Sequence, residues 1–579
     1  MHFHLQSIFL ASLFPGLVPA ALNCRPEGPV LPKPTALGEA PIFQDATNKL
    51  TKTFDDAISG HIKAGWDVNN VTFSVAVISA DQTVPGVPVW EYHHLAKANK
   101  NGTKNLDRDS QYLIGSVTKV ISAYLLLKSD IDLDSPVAKY LKKLADPKSL
   151  VQWKDISLRM LAEHLAGVPA NYGFSEFYFL KEVFLSLGFP PVNDSDYPPC
   201  GVIALNKDCS PNDFLDGMLD SYPVTAPMER PAYSNVAFTI FIMALEEATG
   251  KNYSQMVDEF VVKPLDLKNT LPSPGDDKKA VIPPGESSWG ADYGYNAPGG
   301  GLVSSLSDLS KFTHALLSRT LDLTPTQIRQ WLKPQSFSGG PYSSVGMPWE
   351  IYRPLNLTPE HPHAITIYGK GGGAQAYRSQ LEVIDEYGLG LVIMTAGPMQ
   401  ALTLITDALL ATIVPAVDKV SRDQAKQHSR KFSGKGENGT GFESTLVQDK
   451  DSLVLKSIHS GTSDLLKGLV KIWNLTIGEY VGTINPTVRL FPSDLNNKAT
   501  IDEKNVTREV WHLWPQADSS PASELPGAGT QDSDCITWTI GDWAHYGGEP
   551  MDRVLFYKED GKVVGFELPF LRSGILRPT

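Results

Sequence analysis

Leu113-Ile114-Gly115-Ser116-Val117-Thr118-Lys119, followed by the apolar residues 120–128, carries the strongest fold signal in this chain. The apolar run predicts a helix that begins at Ser116. Positions i and i+3 lie on one helix face, which places the Lys119 amine within reach of the Ser116 hydroxyl. A helix N-terminus also offers backbone N–H groups and a positive field, both of which stabilise an oxyanion. A serine at a helix start is more often only an N-cap, so the pair needs partners elsewhere.

Two further short motifs supply such partners. Tyr233-Ser234-Asn235 opens the helical run 236–249, and Gly369-Lys370-Gly371-Gly372-Gly373 leads into a predicted strand, residues 377–383. Glycines beside a strand edge let a substrate backbone approach closely. The alternative for the glycine run is a flexible turn without function.

The order Ser-x-x-Lys, Tyr-x-Asn, Lys-x-Gly resembles the class C β-lactamase, DD-peptidase and family VIII esterase group of serine β-lactamase-like proteins. The connecting residues 156–169, 264–270 and 298–309 resemble that family as well, so the similarity spans roughly residues 43–411. The resemblance implies an α+β fold, in which an antiparallel sheet is flanked by an all-helical part. The C-terminal region resembles the smaller all-β domain of fungal secreted β-lactamase-like proteins.

The resemblance also implies roles for individual residues. Ser116 would be the nucleophile of an acyl-enzyme, and Asn235 would orient Lys119 and the substrate. Crowding by the Lys370 cation would lower the pKa of Lys119, but the choice between Lys119 and Tyr233 as general base stays open. No cofactor and no metal is implied. The expected catalytic residues are Ser116, Lys119, Tyr233, Asn235 and Lys370, with Gly372 and Gly373 binding the oxyanion and the substrate.

One position departs from the family pattern. The third motif usually has Thr or Ser between Lys and Gly, where this chain has Gly371. In members active on β-lactams that hydroxyl helps to hold the substrate carboxylate, and a lost charge-assisted hydrogen bond costs about 1.5–3 kcal/mol. We therefore expect an ester or amide as the small-molecule substrate rather than a β-lactam.

Two other functions remain open. The first is an acyltransferase on the same fold that acts on a secondary metabolite, and the second is a catalytically silent binding protein. The sequence contains neither a Gly-x-Ser-x-Gly motif nor a His-Glu-x-x-His motif, which disfavours an α/β-hydrolase and a zinc peptidase.

The N-terminus and the sequons predict a secreted, extracellular glycoprotein. Residues 1–20 read as a signal peptide, with an apolar segment at 8–18 and a small-residue cleavage pattern at 18–20. A buried N-terminal helix is the alternative. Asn-x-Ser/Thr sequons occur at Asn70, Asn101, Asn193, Asn252, Asn356, Asn438, Asn474 and Asn505.

Four cysteines agree with secretion because they are even in number and too scattered for a zinc site. Cys200 and Cys209 close a short loop and form the natural first disulfide, which leaves Cys24 to pair with Cys535. Buried free thiols are the alternative.

Length and charge set the remaining limits. A chain of 579 residues is expected to form two domains, here a hydrolase domain at 21–426 and a β-rich domain at 427–579. The formal net charge of -13 and the absence of a basic run argue against nucleic acid. Beyond residue 20 no run of about 20 uninterrupted apolar residues predicts a membrane span. The sequence does not indicate an oligomeric state.

Overall fold

The computed structural model describes residues 25–518, 523–527, 535 and 537–579, and these residues divide into two compact units. The larger unit comprises residues 33–423, and the smaller comprises residues 25–32 together with the described residues from 424 to 579. Residues 25–32 therefore belong to the smaller unit, where Val30 and Leu31 join the core, and not to the hydrolase domain as the sequence predicted. The proposed signal peptide, residues 1–20, lies outside the described residues.

The larger unit is built on an eight-stranded antiparallel sheet with the order β2-β1-β13-β12-β11-β10-β9-β8. The sequence pattern has strands at both ends of this domain with helices between them, which predicts one sheet assembled from the two ends. The structure confirms this, because β1 pairs with β13 from Thr72↔Ala396 to Ser79↔Leu389. The strands of this unit are β1 Thr72–Ser79, β2 Trp90–His94, β3 Asn101–Gly102, β4 Gln111–Leu113, β5 Leu271–Pro272, β6 Val281–Ile282, β7 Leu302–Ser305, β8 Ser336–Phe337, β9 Ser343–Val345, β10 Glu350–Tyr352, β11 Ile367–Ala374, β12 Tyr377–Ile384 and β13 Leu389–Ala396.

Helices cover both faces of this sheet. The side chains of β1 alternate, so that Phe73 and Val75 join the core under α1 and α12, whereas Ala76 and Ile78 join the core shared with α10 and the helical part. The helices are α1 Pro41–Ser59, α2 Thr118–Lys128, α3 Leu158–Ala162, α4 Lys181–Ser186, α5 Pro211–Leu219, α6 Asn235–Thr249, α7 Tyr253–Val257, α8 Lys263–Leu265, α9 Ala297–Gly300, α10 Leu306–Leu317, α11 Pro325–Trp331 and α12 Ala401–Ala425.

Two elements of this unit differ from the sequence-based prediction. The sequence pattern predicts a helix at about 400–411. The helix α12 continues to Ala425 because its apolar face continues, with Val414 and Val417 fully buried. The sequence pattern also predicts a strand at 364–368, whereas β11 begins at Ile367 and runs through all the glycines to Ala374. The glycine run is thus part of a sheet strand and not a flexible turn.

The helical stretch Ala401–His428 is the one candidate membrane span among the described residues, by length and composition alone. Half of its most apolar window is buried inside the protein. Ile405, Leu409 and Ile413 are completely buried in the core that α12 forms with the sheet.

The smaller unit is mainly β, as predicted. Its principal sheet is antiparallel with the order β23-β22-β19-β18-β16-β15-β14-β24, and a bridge between Phe566 and Leu576 brings its two edges together into a near-barrel. The elements are β14 Lys431–Lys435, β15 Gly441–Gln448, β16 Leu453–Ser460, β17 Ser463–Asp464, α13 Leu465–Leu475, α14 Gly478–Val481, β18 Ile484–Ile501, β19 Lys504–Ala517, β20 His545–Tyr546, β21 Glu549–Pro550, β22 Arg553–Glu559, β23 Lys562–Glu567 and β24 Arg577–Pro578.

The sequence pattern predicts strands at 479–482 and 536–540, and both predictions are wrong. Residues 479–482 overlap α14, and the described part of 536–540 is the 3-10 turn Thr537–Ile540. The sequence analysis also missed α13, whose apolar face buries Leu469 and Trp473. The two strand predictions fail for the same reason, because apolar runs of four or five residues do not distinguish a strand from a helical turn.

The Cys200–Cys209 disulfide is present, with an S–S distance of 2.09 Å. No described cysteine is free. Cys535 Sγ lies 3.7 Å from the Arg25 carbonyl oxygen, but Cys24 lies outside the described residues. The pairing of Cys24 with Cys535 therefore stays a prediction.

Candidate active site

Ser116 lies in a tight turn that joins β4 to α2. The turn is the 3-10 helix Gly115–Val117, and α2 begins at Thr118, two residues later than the sequence indicated. Gly115 has φ 48°, and a Cβ atom there would lie 2.4 Å from the backbone nitrogen of Gly373. Glycine at 115 therefore lets the Ser116 turn lie directly against β11.

Lys119 is completely buried beside Ser116. Its Nζ lies 3.0 Å from Ser116 Oγ and donates hydrogen bonds to Asn235 Oδ1, at 2.6 Å, and to the Gly299 carbonyl oxygen. Burial lowers the pKa of Lys119 well below its usual range, and the Lys370 charge lowers this pKa further, while the Glu350 carboxylate opposes the shift. A neutral amine has two N–H groups and one lone pair. The two acceptors engage both N–H groups, so the lone pair is available to the Ser116 hydroxyl.

Tyr233 approaches the same hydroxyl from the start of α6. Its phenol oxygen lies 2.8 Å from Ser116 Oγ, and its side chain is 42% exposed, so it forms the solvent-facing rim of the site. The ring packs on His164 with a centroid distance of 4.4 Å. Ser234, the next residue, caps α6 by accepting a hydrogen bond from the Ala237 N–H. This cap fixes where the helix begins and so fixes the direction of Tyr233.

Asn235 is held in one orientation by a residue that the sequence analysis missed. Its Nδ2 donates to Asn171 Oδ1 at 2.7 Å, which turns its Oδ1 towards Lys119. His164 was also missed as a site residue, although it lies in the family-like stretch 156–169. Its Nδ1 accepts the Ser234 N–H at 3.1 Å, and burial, followed by the charges of Lys119 and Lys370, holds its pKa well below the usual range. His164 is therefore a neutral support for Tyr233.

Lys370 reaches the site from β11. It is 1% exposed, and its Nζ lies 5.1 Å from the centre of the Tyr233 ring and 2.5 Å from Glu350 Oε1. Glu350, the first residue of β10, was not predicted. No sequence signal identified it, because it lies in a three-residue strand outside every motif.

The glycines of β11 have two different roles: some direct a backbone N–H away from β12, and one allows close packing. Gly371 donates its N–H to Glu350 Oε2 at 3.0 Å, on the side facing away from β12. Because N–H directions alternate along a strand, the Gly373 N–H points to the same side as the Gly371 N–H. This part of β11 lies beyond Gly369, the last residue of the strand that pairs with β10. We call residues 371–374 on this side the open edge of β11. The Gly373 N–H lies there beside the Ser116 turn.

Gly372, predicted to contact the oxyanion or substrate, has a different position. Its N–H points towards β12 by the same alternation. A Cβ atom on Gly372 would lie 2.2 Å from the Ile114 carbonyl oxygen and 2.4 Å from Ser379 Oγ. Gly372 therefore permits close packing of β11 against the Ser116 turn.

The described residues contain no group of three or more His, Cys, Asp or Glu side chains that could hold a metal ion. Two amine-bearing side chains, Lys119 and Lys370, lie at the site.

A serine hydroxyl at a helix start, with a buried lysine and a tyrosine beside it and a second lysine on the adjoining strand, defines the class of serine β-lactamase-like hydrolase folds. The chain belongs to the β-lactamase family, because the family model described as Beta-lactamase matches residues 59–410. A second model, described as Beta-lactamase-like-like, C-terminal domain, matches residues 420–579.

The chain is similar to several known proteins. A Beta-lactamase-like protein of Arthroderma benhamiae is 46% identical over 573 residues, 96% of each chain. A Probable hydrolase M10 of Phoma sp. is 26% identical and covers 91% of this chain and 88% of its own. Among solved structures, a Beta-lactamase/D-alanine Carboxypeptidase from Yersinia pestis is 19% identical, covers 65% of this chain and 99% of its own, and has a TM-score of 0.47.

Proposed function

We propose that this chain is a serine acyl hydrolase in which Ser116 forms an acyl-enzyme with an ester or amide substrate. The observation that carries the proposal is the convergence of two proton-handling groups on one hydroxyl. Lys119 Nζ lies 3.0 Å and the Tyr233 hydroxyl 2.8 Å from Ser116 Oγ. The lowered pKa of Lys119 favours the neutral amine, the form that can accept a proton.

The first half of the reaction uses these groups in order. Lys119 accepts the Ser116 proton as Oγ bonds to the substrate carbonyl carbon. The resulting oxyanion accepts hydrogen bonds from the backbone N–H groups of Ser116 and Gly373. The carbon–leaving-group bond then breaks, Tyr233 protonates the departing alcohol or amine, and the Lys119 ammonium restores the Tyr233 proton. In the second half, water replaces the leaving group and the proton transfers run in reverse.

We expect ester turnover to exceed β-lactam turnover. The motivation is Gly371, which lacks the hydroxyl that holds the carboxylate in β-lactam-active members. A loss of about 1.5–3 kcal/mol corresponds to roughly 10–100-fold in kcat/KM. The measurement compares nitrocefin with a short-chain p-nitrophenyl ester, after a fluorophosphonate probe has titrated the active serine. Equal kcat/KM values for the two substrates would contradict this expectation.

We also propose that the protein is secreted, extracellular and glycosylated. The support is the apolar segment at 8–18, the Cys200–Cys209 disulfide and the sequons. Asn474 is a poor acceptor, because its side-chain amide makes hydrogen bonds to the backbone of Val470 and Ile484. Six of the sequon asparagines are exposed: Asn101, Asn193, Asn252, Asn356, Asn438 and Asn505.

Peptide mapping of the protein from culture medium tests the disulfide prediction and the secretion proposal together. Without reductant we expect one disulfide-linked peptide pair to carry Cys24 and Cys535 and another to carry Cys200 and Cys209. The N-terminal peptide should lack residues 1–20. Free thiols at Cys24 and Cys535, or an intact N-terminus, would contradict these expectations.

A further inference from the structure

The side chain of Glu350 occupies hydrogen-bond donors of the candidate active site. Strand β10 ends its pairing with β11 at Glu350↔Gly369, and the Glu350 carboxylate extends along the open edge of β11. Oε1 accepts a hydrogen bond from Lys370 Nζ at 2.5 Å, and Oε2 accepts one from the Gly371 N–H at 3.0 Å. A built-in carboxylate thus holds an ammonium group and a backbone N–H that would otherwise suit the carboxylate of a ligand.

The missing side chain at position 371 makes this contact possible. A Cβ atom on Gly371 would lie 3.2 Å from Gln380 Oε1 and 3.4 Å from Glu350 Oε2. A branched side chain there would crowd the carboxylate or require it to move. Gly371 and Glu350 therefore form a matched pair, in which the absence of a side chain accommodates the acid.

The charge of Glu350 is accessible to a ligand, whereas that of Lys370 is not. The Glu350 side chain is 50% exposed and the Lys370 side chain 1% exposed. Lys370 is enclosed by Glu350, the Gly371 carbonyl oxygen at 2.9 Å and the Tyr233 ring. A substrate at the open edge of β11 therefore meets a half-exposed anion with unused lone pairs.

We propose that Glu350 is a specificity-determining residue. It rejects acyl substrates that bring a carboxylate to the open edge of β11 and accepts substrates that are neutral or cationic there. The inference rests on the proposed function and adds the substrate class. Two effects act together, because an anionic substrate finds its donors already occupied and is repelled by a like charge. Like-charge contacts of this kind are a common means of excluding a wrong ligand.

Arg378 is the competing candidate for a carboxylate receptor. A Cβ atom on Gly373 would lie 3.4 Å from its Nη1, so the guanidinium is close to the open edge of β11. However, Nη1 already donates to the carbonyl oxygens of Gln375 and Tyr377, at 2.7 Å and 2.6 Å. We therefore assign the charge selection to Glu350.

The test uses three p-nitrophenyl esters of similar length: the neutral pentanoate, the anionic glutarate monoester and the cationic 4-(trimethylammonio)butanoate. Glu350→Gln keeps the size of the side chain and an acceptor for Lys370 but removes the charge. We expect the anionic-to-neutral ratio of kcat/KM to rise by about 10–100-fold in Glu350→Gln and the cationic-to-neutral ratio to fall. Glu360→Gln makes the same change at an exposed glutamate and should leave both ratios as in the wild type.

Each outcome separates this inference from the proposed function. If Glu350→Gln changed turnover of all three esters equally, Glu350 would only position Lys370 and the inference would be wrong. Efficient turnover of the glutarate ester by the wild type would also overturn it, in favour of Arg378 as receptor. If the wild type turned over no ester and took up no fluorophosphonate, the proposed function itself would fail.

A double substitution at Gly371 and Glu350 gives an independent test of the proposal. Gly371→Thr alone places a hydroxyl against the Glu350 carboxylate and should leave the anionic ester poorly used. The double variant Gly371→Thr, Glu350→Gln should have a raised kcat/KM for the anionic ester. The rise should exceed the product of the two single effects, because positions 371 and 350 are in contact. Strictly multiplicative effects would show that the two residues act separately and would contradict the matched pair.

Discussion

Ser116→Ala is expected to reduce hydrolysis to background, a loss on the order of 10⁴-fold or more in kcat. The substitution removes the hydroxyl that both Lys119 and Tyr233 contact, and with it the oxygen that is proposed to carry the acyl group. Covalent labelling by a fluorophosphonate should disappear at the same time. The measurement pairs ester turnover with intact-mass detection of the labelled protein.

Ser129→Ala is the matched control, because it makes the same chemical change at the other end of α2. Ser129 Oγ donates to the Leu126 carbonyl oxygen and touches no site residue. Labelling and turnover should match the wild type. Substantial turnover in Ser116→Ala, with circular dichroism like that of the wild type, would mean that another group is the nucleophile.

Lys119→Met is expected to lower kcat by about 10²–10⁴-fold, the usual contribution of a general base. Methionine fills much of the space of the buried side chain, so that the loss reports the missing amine and not a cavity. Tyr233→Phe should cause a comparable loss. Since the two groups serve one proton path, the double variant should be scarcely slower than either single variant. Losses that multiply in the double variant would contradict this shared path.

The pH dependence gives a second readout of Lys119. Its neutral form is the active one, so kcat/KM should fall as the pH drops through the lowered pKa of Lys119. The Lys370 charge contributes to that lowering. Lys370→Met removes the charge, the pKa of Lys119 rises, and the acid limb of the profile should move to higher pH. An acid limb that stayed in place or moved to lower pH would exclude Lys119 as the titrating base.

The site motifs could be predicted from the sequence because each is a local pattern. Ser116 and Lys119 share one helix turn, and the Tyr233 motif begins a helix whose apolar face is visible in the sequence. Asn171 and Glu350 could not be found in this way. Asn171 acts through Asn235 and Glu350 through Lys370, so their importance lies in contacts between distant segments that no single-sequence spacing records.

The fold was likewise predictable where it follows local sequence patterns and not where it depends on contacts between distant segments. Alternating patterns such as that of β1 predicted the sheet in the larger unit. Turn-punctuated short strands predicted a β-rich C-terminal module, but its closure into a near-barrel was not predicted. The turns at 479–482 and 537–540 were mistaken for strands, because over four residues an apolar run has no measurable period. The tasks of Gly372 and Gly373 required the pairing register, since neighbouring glycines point to opposite sides of β11.

The sheet that unites both ends of the larger unit has a consequence for synthesis on the ribosome. β1 leaves the exit tunnel early and can pair with the nearby β2 along one edge, but its other edge has no partner strand until β13 follows, more than three hundred residues later. Lys370 and Gly373 also emerge long after Ser116, so a nascent chain holds the serine before the groups that would complete the site. Until β11 docks, the growing polypeptide exposes unpaired β edges to chaperones, and hydrolytic activity can arise only near the end of translation of this unit.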